Sequence, residues 1–353
     1  MPGTQAHRSS LTLRLPGIAL ALIIAAIATV IGRMIPLIGA PVICIVIGVT
    51  IAAVRKPGAR FRPGISTASR LILQISIVLL GSQLSLGQIV HVGLTSLPVM
   101  LGSLTACLLG AYWIGRWLGI VGDLRTLIGV GTGICGASAI AAITPIIGAA
   151  SVDVAYAIST IFLFNLTAVL TFPLIGHLLG MSQHSFGLFA GTAVNDMSSV
   201  VAASTTYGSV AANYAIVVKL TRTLLIIPIS LVLAAVVRKR STDSTTLANV
   251  EQDSQAGVSP RMHVRIGRLV PWYLIGFLVI AAANSVGLVP IRIHHALTLI
   301  SLFFIAVALS AIGLSTDLPA LRRTGPRPLI LGAALWVLVS LTSLALQSVS
   351  GSL

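Results

Sequence analysis

Three charged residues stand inside stretches that are otherwise apolar: Asp196 in GTAVNDMSSVVAA (191–203), and Lys219 and Arg222 in VVKLTRTLLIIP (217–228). A carboxylate held in the middle of a membrane costs at least about 2.5–3.5 kcal/mol on insertion scales. It therefore lines a polar cavity, pairs with a cation or carries a proton. The chemistry within reach of Asp196 is that of a proton-relay or ion-coupling acid, and the plainer alternative is a structural ion pair with Lys219 or Arg222. Spacing of i, i+3 puts Lys219 and Arg222 on one helix face. Arg222 lies roughly 20 Å of helix from either end of its apolar segment, too deep to reach water by extending its side chain. Its planar guanidinium suits oxyanions. Two cations against one acid leave a positive surplus that an anionic ligand would fit.

A second stretch, GTGICGAS (131–138), places three glycines in six residues. Each costs about 1 kcal/mol against Ala inside a helix, and together they let the backbone unwind and approach a ligand. An unwound segment presents N–H groups at the positive end of the next half-helix, a ready anion site. On this reading the backbone of 131–136 with Thr132, Gly133, Gly136 and Ser138, joined by Asn195, Lys219 and Arg222, binds the substrate, and Asp196 couples. Close helix packing through small residues is the competing explanation.

The two stretches match each other. Aligning Gly131 with Gly191 pairs Thr132 with Thr192, Ser138 with Ser198, Cys135 with Asn195 and Gly136 with Asp196, and downstream AYAI (155–158) answers NYAI (213–216), with Pro173 falling near the place of Pro228. Repeated halves with Gly-interrupted helices mark secondary transporters. Whether the repeat is parallel or inverted is left open by the pattern, because alternating spans would run both copies in the same direction.

The elements that must position these residues follow from composition. Of 353 residues, 56% are hydrophobic and 8% charged, against about 25% charged in a soluble domain, and the mean hydropathy is +1.04. Such a chain cannot supply a polar exterior, and its apolar content excludes disorder. Three cysteines exclude a disulfide-stapled module and show no metal-ligand spacing. The expected fold is an all-α polytopic membrane protein with eleven candidate spans, roughly 15–32, 35–54, 68–87, 91–114, 125–148, 153–178, 186–206, 209–237, 268–287, 294–315 and 328–347. The segment 15–32 reads as a retained first helix rather than a signal peptide.

The net charge of +15 is spread in short clusters between spans. It therefore indicates orientation rather than a nucleic-acid footprint. Arg55, Lys56, Arg60, Arg62 and Arg70, then Arg116 and Arg125, then 238–268, then Arg322, Arg323 and Arg327 fall on one side, which makes that side and the N-terminus cytoplasmic, with Arg33 and Arg292 the exceptions, each alone in a short outer loop. Domain organisation is then a short N-terminus (1–14), spans one to eight (15–237), a Ser/Thr/Asp/Gln-rich linker (238–267) and spans nine to eleven (268–353). Neither GxxxxGK[ST], nor His-Glu-xx-His, nor Gly-x-Ser-x-Gly is present, so the chain is read as a non-enzyme without cofactor or metal.

GTGICGASAIAA, AVNDMSSVVAAS, KLTR and AIGLSTDLPALRRTGPRP resemble the YeiH-type family of bacterial membrane proteins over nearly the whole chain. That resemblance implies a proposed role in exporting sulfate or sulfite, and grouping with NhaA-like cation:proton antiporters and bile-acid symporters. It also implies a core domain of crossing, interrupted helices beside a panel or dimerisation domain. A homodimer in the bacterial inner membrane would fit it. Relatives more often carry His where Asn195 stands. The lead expectation is a secondary transporter exporting a small inorganic oxyanion, coupled to protons or sodium. A cation:proton antiporter, an organic-anion carrier and a non-transporting membrane sensor are the alternatives.

Overall fold

The computed structural model describes residues 13–34, 39–55, 57–120, 122–235, 271–316 and 325–351. Its elements are α1 (Leu15–Met34), α2 (Gly39–Val54), α3 (Arg62–Gln83), α4 (Leu86–Trp117), α5 (Asp123–Gly133), α6 (Ala137–Ile147), α7 (Ser151–Leu178), α8 (Gln183–Ala193), α9 (Met197–Tyr207), α10 (Ser209–Ala235), α11 (Trp272–Ser285), α12 (Ile291–Leu314) and α13 (Pro326–Val349). No strand occurs among the described residues. Among the described residues seven helices are long and apolar enough to cross a membrane, and α2, α6 and α11 are shorter apolar helices. The protein is an all-α polytopic membrane protein. The linker 238–267 and most of the N-terminal segment lie outside the described residues.

Helix ends are set by local chemistry. Ser85 and Gln88 form a reciprocal capping box that starts α4. Ser182 caps α8 through the Ser185 amide. Within α3 the ladder widens into a π-turn at Ala68–Ile72. Gly48 of α2 and Gly313 of α12 bring two backbones into contact, the close approach that small residues allow where lipid offers no hydrophobic drive.

Two groups of helices result. α1, α2, α3, α11 and α12 form a panel. Its core of Ile24, Ala28, Ile45, Ile77, Phe277 and Leu309 continues onto Val201 and Ala202 of α9 and Ile216, Val217 and Leu220 of α10. The other helices form the core bundle, in which Leu331, Leu335 and Val339 of α13 pack with α4, α5 and α6. The three helices after the linker are therefore divided between the two groups.

All eleven apolar segments of the sequence are helical, but the fifth and seventh do not cross. The α8–α9 pair is a hairpin. At its open end the Phe186 and Tyr207 rings stack 3.9 Å apart, the Tyr207 hydroxyl donates to Met181 O at 2.5 Å, and Gln183 Oε1 accepts from the amides of Val210 and Ala211. The α5–α6 pair turns back likewise. α7 lies along α8 with Phe172 against Phe189 and Gly176 against Phe186, passes the tip where Asn165 meets Asn195, and continues past Gly131 at Ile161. Its first turn at Ser151 is thus on the side where α5 begins. Three residues, spanning at most about 10 Å, connect Ile147 to Ser151, so α6 must return to that side.

The hairpins enter from opposite sides. α8 runs parallel to α10, with Gly187 against Ala211 and Tyr214 and Gly191 against Ala215 and Val218. α5 approaches the same point of α10 from the other end, where Thr126, Gly129 and Val130 share a cleft with Pro228, Ile229 and Val232. Hairpin plus following helix (α5–α6–α7 and α8–α9–α10) is therefore an inverted repeat. This removes the conflict between the sequence repeat and an alternating topology. Of the described basic residues, Arg14, Arg55, Arg60, Arg62, Arg70, Arg116, Arg125 and Arg327 fall on the side from which α5 enters, called the basic side below, and Arg292, in the first turn of α12, falls on the other.

Candidate functional site

Each half-hairpin has eleven residues, about 16 Å of helix and roughly half the hydrocarbon thickness. The tips therefore meet near the midplane. Gly136 makes the contact: its φ of +67° is one that glycine adopts without strain, and a Cβ there would come within 3.1 Å of Asp196 Cβ.

Two kinds of helix end converge at this point. α5 and α8 arrive with their carbonyl ends, which are electronegative. Lys219 Nζ donates to Ile134 O and to Val194 O, 2.8 Å each, and so joins the tips. Arg222 Nη1 donates to Thr192 O, and its Nε and Nη2 are buried without a partner. Both cations are fully buried. α6 and α9 leave with their amide ends, which are electropositive. Asp196 caps α9, accepting from the amides of Ser198 (3.0 Å) and Ser199 (3.2 Å) and from the Ser198 hydroxyl. Asp196 Oδ1 and Asn195 Oδ1 are buried without a hydrogen-bond partner.

The helix is interrupted at 134–136, as the glycines of this stretch suggest, but 131–133 stay helical: Ile134 N donates to Val130 O and Gly136 N to Gly131 O. The free amides are those of Ala137 and Ser138, the first of α6, with no carbonyl one turn back. Both of these residues are exposed, whereas Thr132 and Gly133 are buried, with Gly133 facing Leu104 and Cys107 of α4. Asp196 is not ion-paired. Among the described residues no carboxylate oxygen lies within 4 Å of Lys219 or Arg222, because the acid is turned to the amide ends and the cations to the carbonyl ends. Lys219 spends its charge on carbonyls rather than on an open cavity.

Further residues complete the junction. Asn165 Oδ1 accepts from the Asn195 amide at 3.0 Å. The Thr192 hydroxyl meets that of Ser343 on α13. Asn165 was visible as a polar residue in a span. Ser343 carries no local signal. A largely apolar cleft of about 350 Å³ between α4, α5 and α10 reaches Gly129 and Val130, one turn short of the tip, with Arg125 and Thr126 nearer the basic side.

The structure thus defines a polytopic membrane protein built round an inverted pair of re-entrant hairpins. A family model described as "Conserved hypothetical protein 698" matches residues 16–332. A UPF0324 membrane protein of Streptococcus pyogenes is 42% identical over 338 residues, covering 95% of this chain and 96% of its own length. Others from Streptococcus agalactiae and Fusobacterium nucleatum are each 39% identical, over 96% of this chain and 98% and 99% of theirs. The chain belongs to this UPF0324 (YeiH-type) family of membrane proteins.

Proposed function

We propose that the protein is a secondary transporter that exports a small inorganic oxyanion, sulfate or sulfite, coupled to the movement of protons across the bacterial inner membrane, with the basic side cytoplasmic. The observation that carries the reading is the meeting of two inverted hairpins at the midplane, where Asp196 holds the amide end of α9 and packs against Gly136, the residue before α6. Helix N-termini favour negative charge, and interrupted helices in inverted repeats place transport sites there. Asp196 is the negative group held at that point in this conformation. Its protonation weakens its hold on the amides of Ser198 and Ser199 and frees positive potential for a substrate anion. Ser138, with the Ala137 and Ser138 amides, adds donors beside it. Arg222, with two unused donors, supplies the surplus positive field. Movement of the hairpin-bearing core against the panel would expose the site alternately.

The test is flux of radiolabelled sulfate and sulfite in proteoliposomes with and without a pH gradient, beside Asp196→Asn and Arg222→Gln. Gradient-dependent flux in the wild type, lost in both variants, is the expected result. Absence of anion flux together with cation:proton exchange would replace this reading with the antiporter one, which the two unpartnered oxygens of Asn195 and Asp196 would suit.

A further inference from the structure

Among the described residues the direct partners of the ammonium at the junction are carbonyl oxygens, not a carboxylate. Lys219 is fully buried, and an unpaired ammonium in an apolar interior is costly. What faces it instead are the carbonyl ends of two helices arriving head to head, each with about half a negative charge and with terminal carbonyls lacking intrahelical partners. Two such ends sum to about one negative charge, and Lys219 Nζ sits 2.8 Å from one carbonyl of each. A third oxygen, Asn195 Oδ1, is buried without a partner in the residue after Val194. Half-helix carbonyl ends are the groups with which interrupted-helix transporters coordinate sodium. The inverted repeat sharpens the point, since the register that pairs AYAI with NYAI sets Ile161 opposite Lys219. One side chain from one repeat thus serves a site that both repeats build.

We infer that the carbonyl ends of α5 and α8 form an alkali-cation site that Lys219 fills with its own tethered ammonium. The protein therefore needs no sodium to hold its two hairpins together, and removing the ammonium opens the site to a free monovalent cation. Anchored between both tips, the tether also fixes the hairpins to α10, so that they move as one body. The inference gives the transporter reading a coupling scheme without sodium, but its test reads stability, not flux.

The experiment is thermal unfolding of the purified full-length protein, wild type, Lys219→Ala and Lys219→Met, in sodium, potassium and choline chloride at equal ionic strength. The wild type should melt at one temperature in all three salts. Lys219→Ala should melt lower in choline and recover by about 3–6 °C, saturably, in sodium or potassium. Lys219→Met, which occupies the space without charge, should recover by less than half as much. A wild type stabilised by sodium over choline overturns the inference, and so does a Lys219→Ala protein indifferent to salt or recovered folded in none of the salts. Recovery of folded Lys219→Ala only from alkali-cation buffers supports it. Failed anion flux beside a salt-responsive Lys219→Ala would sink the transporter reading alone.

Discussion

The first hairpin is bare where the second is charged. Gly136 and Cys135 occupy the tip positions that Asp196 and Asn195 hold in the other copy, and downstream Ile161 and Phe164 stand where α10 has Lys219 and Arg222. The backbones share a design, with eleven-residue halves, a three-residue tip and a long helix after each. Only one copy supplies side-chain chemistry. The other supplies shape: a glycine that lets the tips touch and a carbonyl end that shares the lysine. An inverted repeat needs both frames for symmetry of access, yet at a midplane junction one set of charges serves both, and a second set would double the desolvation cost.

Moving chemistry between the copies should break this asymmetry in a graded way. The largest effect is expected for Lys219→Met in choline, which leaves Ile134 O and Val194 O without a donor. About 3–5 kcal/mol should be lost in denaturant or thermal unfolding, against less than about 1.5 kcal/mol for Ile161→Met at the matching position. Asn165→Leu strips the Asn195 amide of its acceptor and should cost about 1–3 kcal/mol. Gly136→Ala places a side chain at φ +67° and against Asp196. It should cost about 1–3 kcal/mol, and it should reduce flux beyond any loss of folded protein. Asp196→Ala removes the α9 cap for about 1 kcal/mol, while Asp196→Asn keeps a capping oxygen and should melt within a degree or two of wild type. A normal melt with lost gradient-driven flux would separate coupling from capping. The smallest effect is expected for Thr192→Val, which loses the Ser343 hydroxyl for about 1 kcal/mol or less, with Thr132→Val as its counterpart.

Much of this was legible in the residues. Composition and the spacing of Lys and Arg yield the helices and the single basic side. The match of GTGICGAS with GTAVNDMS identifies both tips, and the intramembrane Asp196, Lys219 and Arg222 do converge. The turn-back of each hairpin was not legible, because a window of some 24 apolar residues has the same hydropathy whether the chain crosses or returns. The clue lay in a contradiction: two matching segments separated by one span cannot be inverted if both cross. Partnerships were also hidden. Lys219 and Arg222 bond backbone carbonyls, which leave no trace in residue identity, so the sequence offered only the alternative of a salt bridge to Asp196. Ser343 reaches Thr192, beside the second tip, across 151 residues of chain.

The half-length of the hairpins has an electrical consequence. With about 16 Å of helix on either side of the tips, a charge travelling from either bath to Asp196 crosses about half of the membrane potential. At roughly 2.3 kcal/mol per charge per 100 mV for the full distance, that is about 1.2 kcal/mol per 100 mV, or close to an eightfold change in occupancy of the junction by a monovalent ion. The tip-to-tip meeting thus makes the junction a voltage divider, equally sensitive to membrane polarisation from either face.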